Sequence, residues 1–422
     1  MKIAANVERA VDLDKRRADR SIAYVMKSRR DLALPDQRFV SRSIFSLFRW
    51  RGWIDGLDLP TIEDRLLVSW LLDCGTIHPA CRIWAEETGR DVASLIPLGD
   101  APNWTARAEG LKRLLNIRAI NADPWRLFPN WFREELPIPP GTASIKLKYL
   151  ELLDVLQRPA PLWIRAQGDD EKKTWNELNA TGVKPWVHRT LTRSAKLAAD
   201  VDIYHLPAFI RGDLEIQDLA SQAVGLACDP DPGERWWDVC AGAGGKALHL
   251  TALLRGKGTV LATDVNEKAL KEAARRARRT SFRNLSTKLW DGKRMPAKSG
   301  TFDGVLVDAP CSGIGTWRRN PDARWTLDHE SIGRLAETQF KLLEIASKGV
   351  KPGGVLMYSV CTLTPRETTG VVGRFLEASP GFRLDPFPHP LLGSPCDGKL
   401  QIWPQEADTD AMFIARMIRV GE

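Results

Sequence analysis

Long apolar runs, paired cysteines, clustered histidines and internal repeats are all missing from this chain, and each absence narrows what it can be. No stretch approaches the roughly 18 apolar residues that a membrane helix needs, and the first residues, MKIAANVERAVDLDKRRADR, lack the apolar segment of a secretory signal. A cytoplasmic protein with no membrane partner is expected. The seven cysteines, Cys74, Cys81, Cys228, Cys240, Cys311, Cys361 and Cys396, form no CxxC pair and are odd in number, which argues against a disulfide framework or a cysteine-rich zinc site. The six histidines are dispersed without ligand spacing, so no metal is expected. The phosphate-loop pattern GxxxxGK followed by Ser or Thr is absent too.

What is present is an ordinary globular composition, 43% hydrophobic and 27% charged over 422 residues, long enough for two or three cores. The net charge of +8 favours a polyanionic partner.

The pattern changes along the chain. Apolar residues recur at helical spacing from about Val7 to Leu115, as in SRSIFSLFRWRGWID and EDRLLVSWLLDCG, which predicts a helical bundle. The Pro-rich FPNWFREELPIPPGTA (Phe128 to Ala143) then reads as a linker. A strand-like PLWIRAQ, a short helix around TWNELNATG and the stretch DIYHLPAFIRGDLEIQD suggest a small α/β module. From Glu234 onward strands alternate with helices, which predicts a parallel sheet covered on both faces. RWWDVC, GTVLATD, NLSTKLWDG, TFDGVLVDAPCSG and KPGGVLMYSVCTL are its five strands, a long helix from about Ser331 to Lys348 precedes the fifth, and KLQIWP with AMFIARMIRV forms an antiparallel pair. The expected domains are 1–140, 141–225 and 226–422.

Open α/β sheets bind ligands at the carboxyl ends of their strands, around the switch point. Gly242, Gly244 and Gly245 follow the first strand and let backbone approach a ligand, although such a turn also serves simply to pack a helix on a strand. Asp264 ends the second strand, placed to accept from two ribose hydroxyls, and Asp291, after the third, is expected at an adenine amine or in a turn. Acids ending strands two, three and four favour a neutral or cationic nucleoside over a pyrophosphate. S-adenosylmethionine has that character.

The motifs DVCAGAGGK, DAPCSGIGTWRRNPD, KPGGVLMYSVCTLTPRE and GDLEIQDLASQ resemble those of the RNA cytosine-C5 methyltransferases of the Sun/RsmB type. The resemblance covers roughly Pro161 to Val420, and DAPCSG together with YSVCTL is specific to that family. It implies a class I, Rossmann-like S-adenosylmethionine-dependent methyltransferase domain preceded by a small RNA-recognition-like module. LPDQRFVSRSIFSLFRWRGWID is similar to the NusB-type RNA-binding bundle that some members carry. The first motif departs from the family's CAAPGGK, reading Cys240-Ala241-Gly242-Ala243-Gly244-Gly245-Lys246.

C5 of cytosine is too weak a nucleophile to attack a methyl sulfonium unaided, so a nucleophile must first add at C6, and a base must later remove the C5 proton. Two cysteines at strand ends match that two-stage task. The resemblance implies that Cys361 attacks and Cys311 assists release; the residues alone do not order them, because DNA enzymes place the nucleophile in a Pro-Cys turn like that at Cys311. It further implies that Asp308 holds the cytosine amine, that Lys246 lies near the target base, and that Cys240, Ala241, Gly242, Ala243, Gly244, Gly245, Lys246, Asp264, Asp291 and Asp308 line the cofactor. Asp238 is read as structural. Arg275, Arg276, Arg278 and Arg279 on one helix, and Arg318 and Arg319 flanked by Trp317 and Trp325, are candidates for RNA contact. The expected partner is RNA, ribosomal RNA before transfer RNA, bound by a monomer. The competing readings are an inactive RNA-binding assembly factor and a methyltransferase acting on DNA or a small molecule.

Overall fold

The structure is a computed structural model that describes residues 1–29, 31–137, 143–168 and 170–421. It divides into two compact units, Met1–Pro159 with Thr316–His329, and Ala160–Gly315 with Glu330–Glu422. Of the two boundaries expected from the sequence, the one at 140/141 lies outside the described residues, and the one at 225/226 falls inside a helix.

The first unit is helical: α1 (Lys2–Asp12), α2 (Ala18–Ser28), α3 (Leu34–Ile54), α4 (Ile62–Asp73), α5 (Pro79–Glu87), α6 (Trp104–Leu115) and α7 (Ala143–Leu156). Side-chain caps start several of them; Thr61 accepts from the Asp64 amide and Asn103 from that of Ala106. The apolar stripe of α3, including Ile44, Leu47, Phe48 and Trp50, is buried, as are Leu66, Leu67, Leu71 and Leu72 of α4. Arg49 and Asp73 form a buried ion pair at 2.8 Å, and Ser46 and Trp50 donate to the same carboxylate.

The second unit opens with β1 (Leu162–Ala166), α8 (Glu171–Ala180), β2 (Trp186–Val187), β3 (Ser194–Leu197), α9 (Pro207–Ile210) and β4 (Leu214–Ile216), an antiparallel sheet in the order β2-β3-β1-β4. Alternation in β1 sends Ile164 and Ala166 into a core with Trp175 and Leu178 of α8, and Trp163 the other way. Trp163 joins the core of α10 (Leu219–Cys228) and is 2% exposed, so this face of the sheet is covered by the same unit.

The chain then runs β5 (Arg235–Asp238), α11 (Gly245–Leu253), β6 (Thr259–Asp264), α12 (Glu267–Arg279), β7 (Leu285–Leu289), β8 (Phe302–Asp308), α13 (Ala323–Thr326), α14 (His329–Ser347), β9 (Val350–Val360), α15 (Thr369–Ala378), β10 (Phe382–Leu384), β11 (Phe387–Pro388), β12 (Pro395–Cys396), β13 (Lys399–Ile402), α16 (Pro404–Ala407) and β14 (Met412–Arg419). The sheet order is β10-β14-β9-β8-β5-β6-β7, parallel from β9 to β7, with β14 antiparallel and β13 paired to it. Central strands are apolar on both faces because both are covered: Leu306 and Met357 pack with α10 and α11, whereas Val305, Val307, Leu356 and Tyr358 pack with α14 and α15. The order turns back at β5, which lies between β6 and β8 and so forms the crevice of a Rossmann-like sheet.

The segment Thr316–His329, α13 included, belongs to the helical unit. Trp317 is 0% exposed and packs on Phe128 and Phe132, and the Arg324 guanidinium donates to Leu127, Leu156 and Gln157. This corrects the expectation that Trp317 and Arg318 hold RNA. Both are buried, and Arg318 donates to the carbonyls of Arg158 and Pro159, so neither ring face nor guanidinium is open to a base or a phosphate. Trp325 likewise commits its indole N–H to Phe48. On α12, Arg276 and Arg279 close on the buried Glu215 and serve the fold, whereas Arg275 pairs with Glu272 on the exposed surface.

Candidate active site

The turn from β5 to α11 needs glycine at two places. Gly242 has φ +54° and Gly244 φ +85°, both left-handed, and a Cβ on Gly244 would lie 2.8 Å from that of Ala273. Nothing lies within 4 Å of a Cβ position at Gly242, so the loop faces open space there. Asp264, the last residue of β6, holds the loop: its Oδ2 accepts from the Gly242 amide at 2.8 Å and its Oδ1 from Asn266 at 2.7 Å. Arg276 donates to the Ala243 carbonyl from the outside, a support the sequence did not reveal. Ala241 and Cys240 are largely buried beneath the loop, and burial with the charge of Asp238 pushes the Cys240 thiol far up, so it stays protonated.

Lys246, in the first turn of α11, reaches Asp308 at the end of β8, Nζ to Oδ2 2.8 Å. The other Asp308 oxygen accepts from Ser359 of the neighbouring β9 at 2.7 Å. Burial pulls the Lys246 ammonium down, but the Asp308 carboxylate outweighs it and raises it overall. Because β8 and β9 are parallel neighbours with Asp308 opposite Ser359, the residues that follow each strand emerge at one edge. Cys311 and Cys361 therefore meet, Sγ to Sγ 3.4 Å. The hydrogen bond with Cys361, then burial, hold the Cys311 thiol well above its ordinary value.

Asp291 stands next to Trp290, whose amide donates to the Asp264 carbonyl at 3.0 Å. It is exposed, and its Oδ1 accepts from the amides of Lys293 and Arg294, which depress its carboxyl. Of its two expected roles the turn is the one observed.

Two acids carry weight that the sequence did not display. Glu367 is fully buried and accepts from Ser312, Thr362, Thr364 and Gln339. It stands inside the TPRE that follows Cys361, and the run of threonines before an acid is the signal that points to it. Asp238 is buried at the end of β5, and neither oxygen has a partner of normal hydrogen-bond geometry. Burial, then Asp308, push it up to about 8; Lys246 and the Ala247 amide favour its charged form.

Residues 225–418 match the model of the family described as 16S rRNA methyltransferase RsmB/F. Ribosomal RNA small subunit methyltransferase B of Yersinia pestis bv. Antiqua (strain Angola) is 28% identical over 306 residues, 72% of this chain and 68% of that one. The probable enzyme of the same name from Synechocystis sp. (strain ATCC 27184 / PCC 6803 / Kazusa) is 28% identical over 420 residues and 92% of each chain. Among solved structures, that of the protein PH0851 is similar in fold, with TM-score 0.75, 23% identity and 98% of both chains covered. Residues 225–418 thus match the RsmB/F methyltransferase family model, and the unit that contains them has the Rossmann-like fold of the class I methyltransferases.

Proposed function

We propose that this protein methylates RNA at C5 of a cytosine, with ribosomal RNA as its substrate and S-adenosylmethionine as methyl donor. The observation that carries the reading is the meeting of Cys311 and Cys361 beside the Lys246–Asp308 pair. The loop from Cys240 to Lys246 fits the donor: it is open at Gly242, Asp264 stands beside it, and the carboxylates of Asp264 and Asp308 suit a cation. The donor supplies an electrophilic methyl group.

Everything else falls to side chains of the chain itself. Cys361 adds as thiolate to C6, the electron pair moves to C5, and C5 takes the methyl group. Asp308, oriented by Lys246 and Ser359, is placed to accept from the cytosine amine. Once a base has taken the C5 proton, the C6–S bond breaks and Cys361 leaves. A Cys311 thiol held protonated donates to the departing sulfur and stabilises it, which supports the order Cys361 first, Cys311 second. The helical unit, similar in sequence to NusB-type bundles, supplies RNA-binding surface in this reading, and the chain acts as a monomer.

Transfer of tritiated methyl groups to total ribosomal RNA, transfer RNA and genomic DNA tests the proposal. Label in 5-methylcytosine of ribosomal RNA is expected. Label confined to transfer RNA or DNA, or none with any substrate, would overturn it.

A further inference from the structure

A second basic site lies away from the cysteines, where α11 ends against the small antiparallel sheet. A cavity of about 120 Å³ is lined there by Arg165, Arg193, Arg255 and His249 with three apolar residues, and by no acid. A water needs only ~10–15 Å³ of such space, so a tetrahedral oxyanion fits.

Arg165 is 2% exposed, and the hydrogen bonds of its guanidinium go to neutral groups, Nε donating to Gln217 at 2.8 Å and Nη2 to Gln167 at 3.1 Å, while the charge of Glu215 acts on it without a hydrogen bond. Glu215, opposite it on β4, is already shared by Arg276 and Arg279. A buried cation without a bound carboxylate is costly unless an anion completes it. Arg193 donates to the Gly168 carbonyl, with Glu171 no closer than 3.9 Å. Arg255 is exposed and left-handed with φ +51°, and its guanidinium makes no hydrogen bond or ion pair among the described residues. His249 is buried with Nδ1 unpartnered, packed where Gly225 leaves no room for a Cβ. Burial and the flanking arginines keep its imidazole neutral. The wall therefore carries three guanidinium charges, graded from buried to exposed.

We propose that this cavity binds a phosphate group, and that its source is the backbone of the RNA. The RNA source rests on the function proposed above; the phosphate site itself does not.

The double variant Arg193→Gln/Arg255→Gln keeps Arg165 and its glutamine partners, with Arg383→Gln, exposed on β10, as control for loss of charge alone. The double variant should bind single-stranded RNA of any sequence about ten-fold more weakly at low salt, and flatten the plot of log K against log salt by about one contact. Cofactor affinity and the control should be unchanged. In a second arm, millimolar inorganic phosphate should raise the melting temperature of the unaltered protein and not of the double variant. Loss of the phosphate shift with unaltered RNA binding would reassign the site to a free phosphate and overturn the RNA source. Neither effect, or the same effect from the control, would overturn the site. Because the phosphate arm needs no methyl transfer, it separates failure of this site from failure of the enzymatic reading.

Discussion

The backbone amide of Ser312 donates to Glu367 Oε1 at 2.8 Å, across 55 residues of chain. The same carboxylate receives Thr362 and Thr364, so one buried acid ties the turn after Cys311 to the turn after Cys361. Glu367 thus sets the separation of the two sulfurs without touching either.

Replacing Glu367 with Ala strands several buried donors at once, and stability should fall by at least about 3 kcal/mol. Chemical denaturation measures this. Glu367→Gln, which turns an amide donor toward other donors, should also lose stability and leave cofactor affinity nearly intact while kcat drops. A variant as stable and as active as the parent would remove this role.

The cysteines are separable by what each variant traps. Cys361→Ala and Cys361→Ser should be inactive and form no protein–RNA species on a denaturing gel. Cys311→Ala should still attack and methylate but release slowly, giving a shifted band that ribonuclease trims. Little cavity is left in either case, so both should fold. A band with Cys361→Ala instead would make Cys311 the nucleophile.

Asp264→Ala removes the acceptor that holds the Gly242 amide and faces the cofactor edge. Calorimetry should show S-adenosylmethionine binding about ten- to a hundred-fold more weakly, the worth of one or two bonds to a charged acceptor. Unchanged affinity would exclude Asp264 from the cofactor site.

Asp238 predicts a pH dependence of stability. An unfolded aspartic acid titrates near 4, roughly its peptide value, whereas the folded group ionises only at about 8. Between these values the folded chain holds the extra proton, so unfolding releases it and rising pH favours the unfolded state. The stability of Asp238→Asn relative to the parent should therefore grow from about pH 5 to about pH 8. Denaturant midpoints at the two pH values measure it, and a constant difference would count against a buried neutral acid.

Removing residues 1–159 should not give a well-behaved methyltransferase fragment, because Trp317 and Arg324 would lose Phe128, Leu127 and Gln157. Aggregation or dye binding by the truncated chain is expected, and replacing 316–329 with a short glycine-serine linker should relieve it. A soluble truncation that keeps the native segment, with no dye binding, would contradict this.

The alternation of valine-rich strands with helices, the glycines that only a left-handed turn explains, and the acids and cysteines at strand ends are local features. They were legible because a parallel sheet puts every such residue at one edge whatever the rest of the chain does. The meeting of Cys311 with Cys361 and of Lys246 with Asp308 followed from that topology. Other outcomes depended on distant partners. Arg318 beside Trp317 reads as an RNA-binding pair in sequence and is a buried packing element in the fold; Arg276 and Arg279 read as a basic face and close on Glu215. Nothing local distinguishes a cation that will find a carboxylate more than 60 residues away from one that stays in water. Sequence by itself determined which groups stand at the sheet edge, since strand period and glycine conformation are set by neighbouring residues; tertiary structure alone decided which charges are spent on the fold and which, like those of Arg165 and Arg255, remain for a ligand, since burial and pairing are properties of contacts between distant segments.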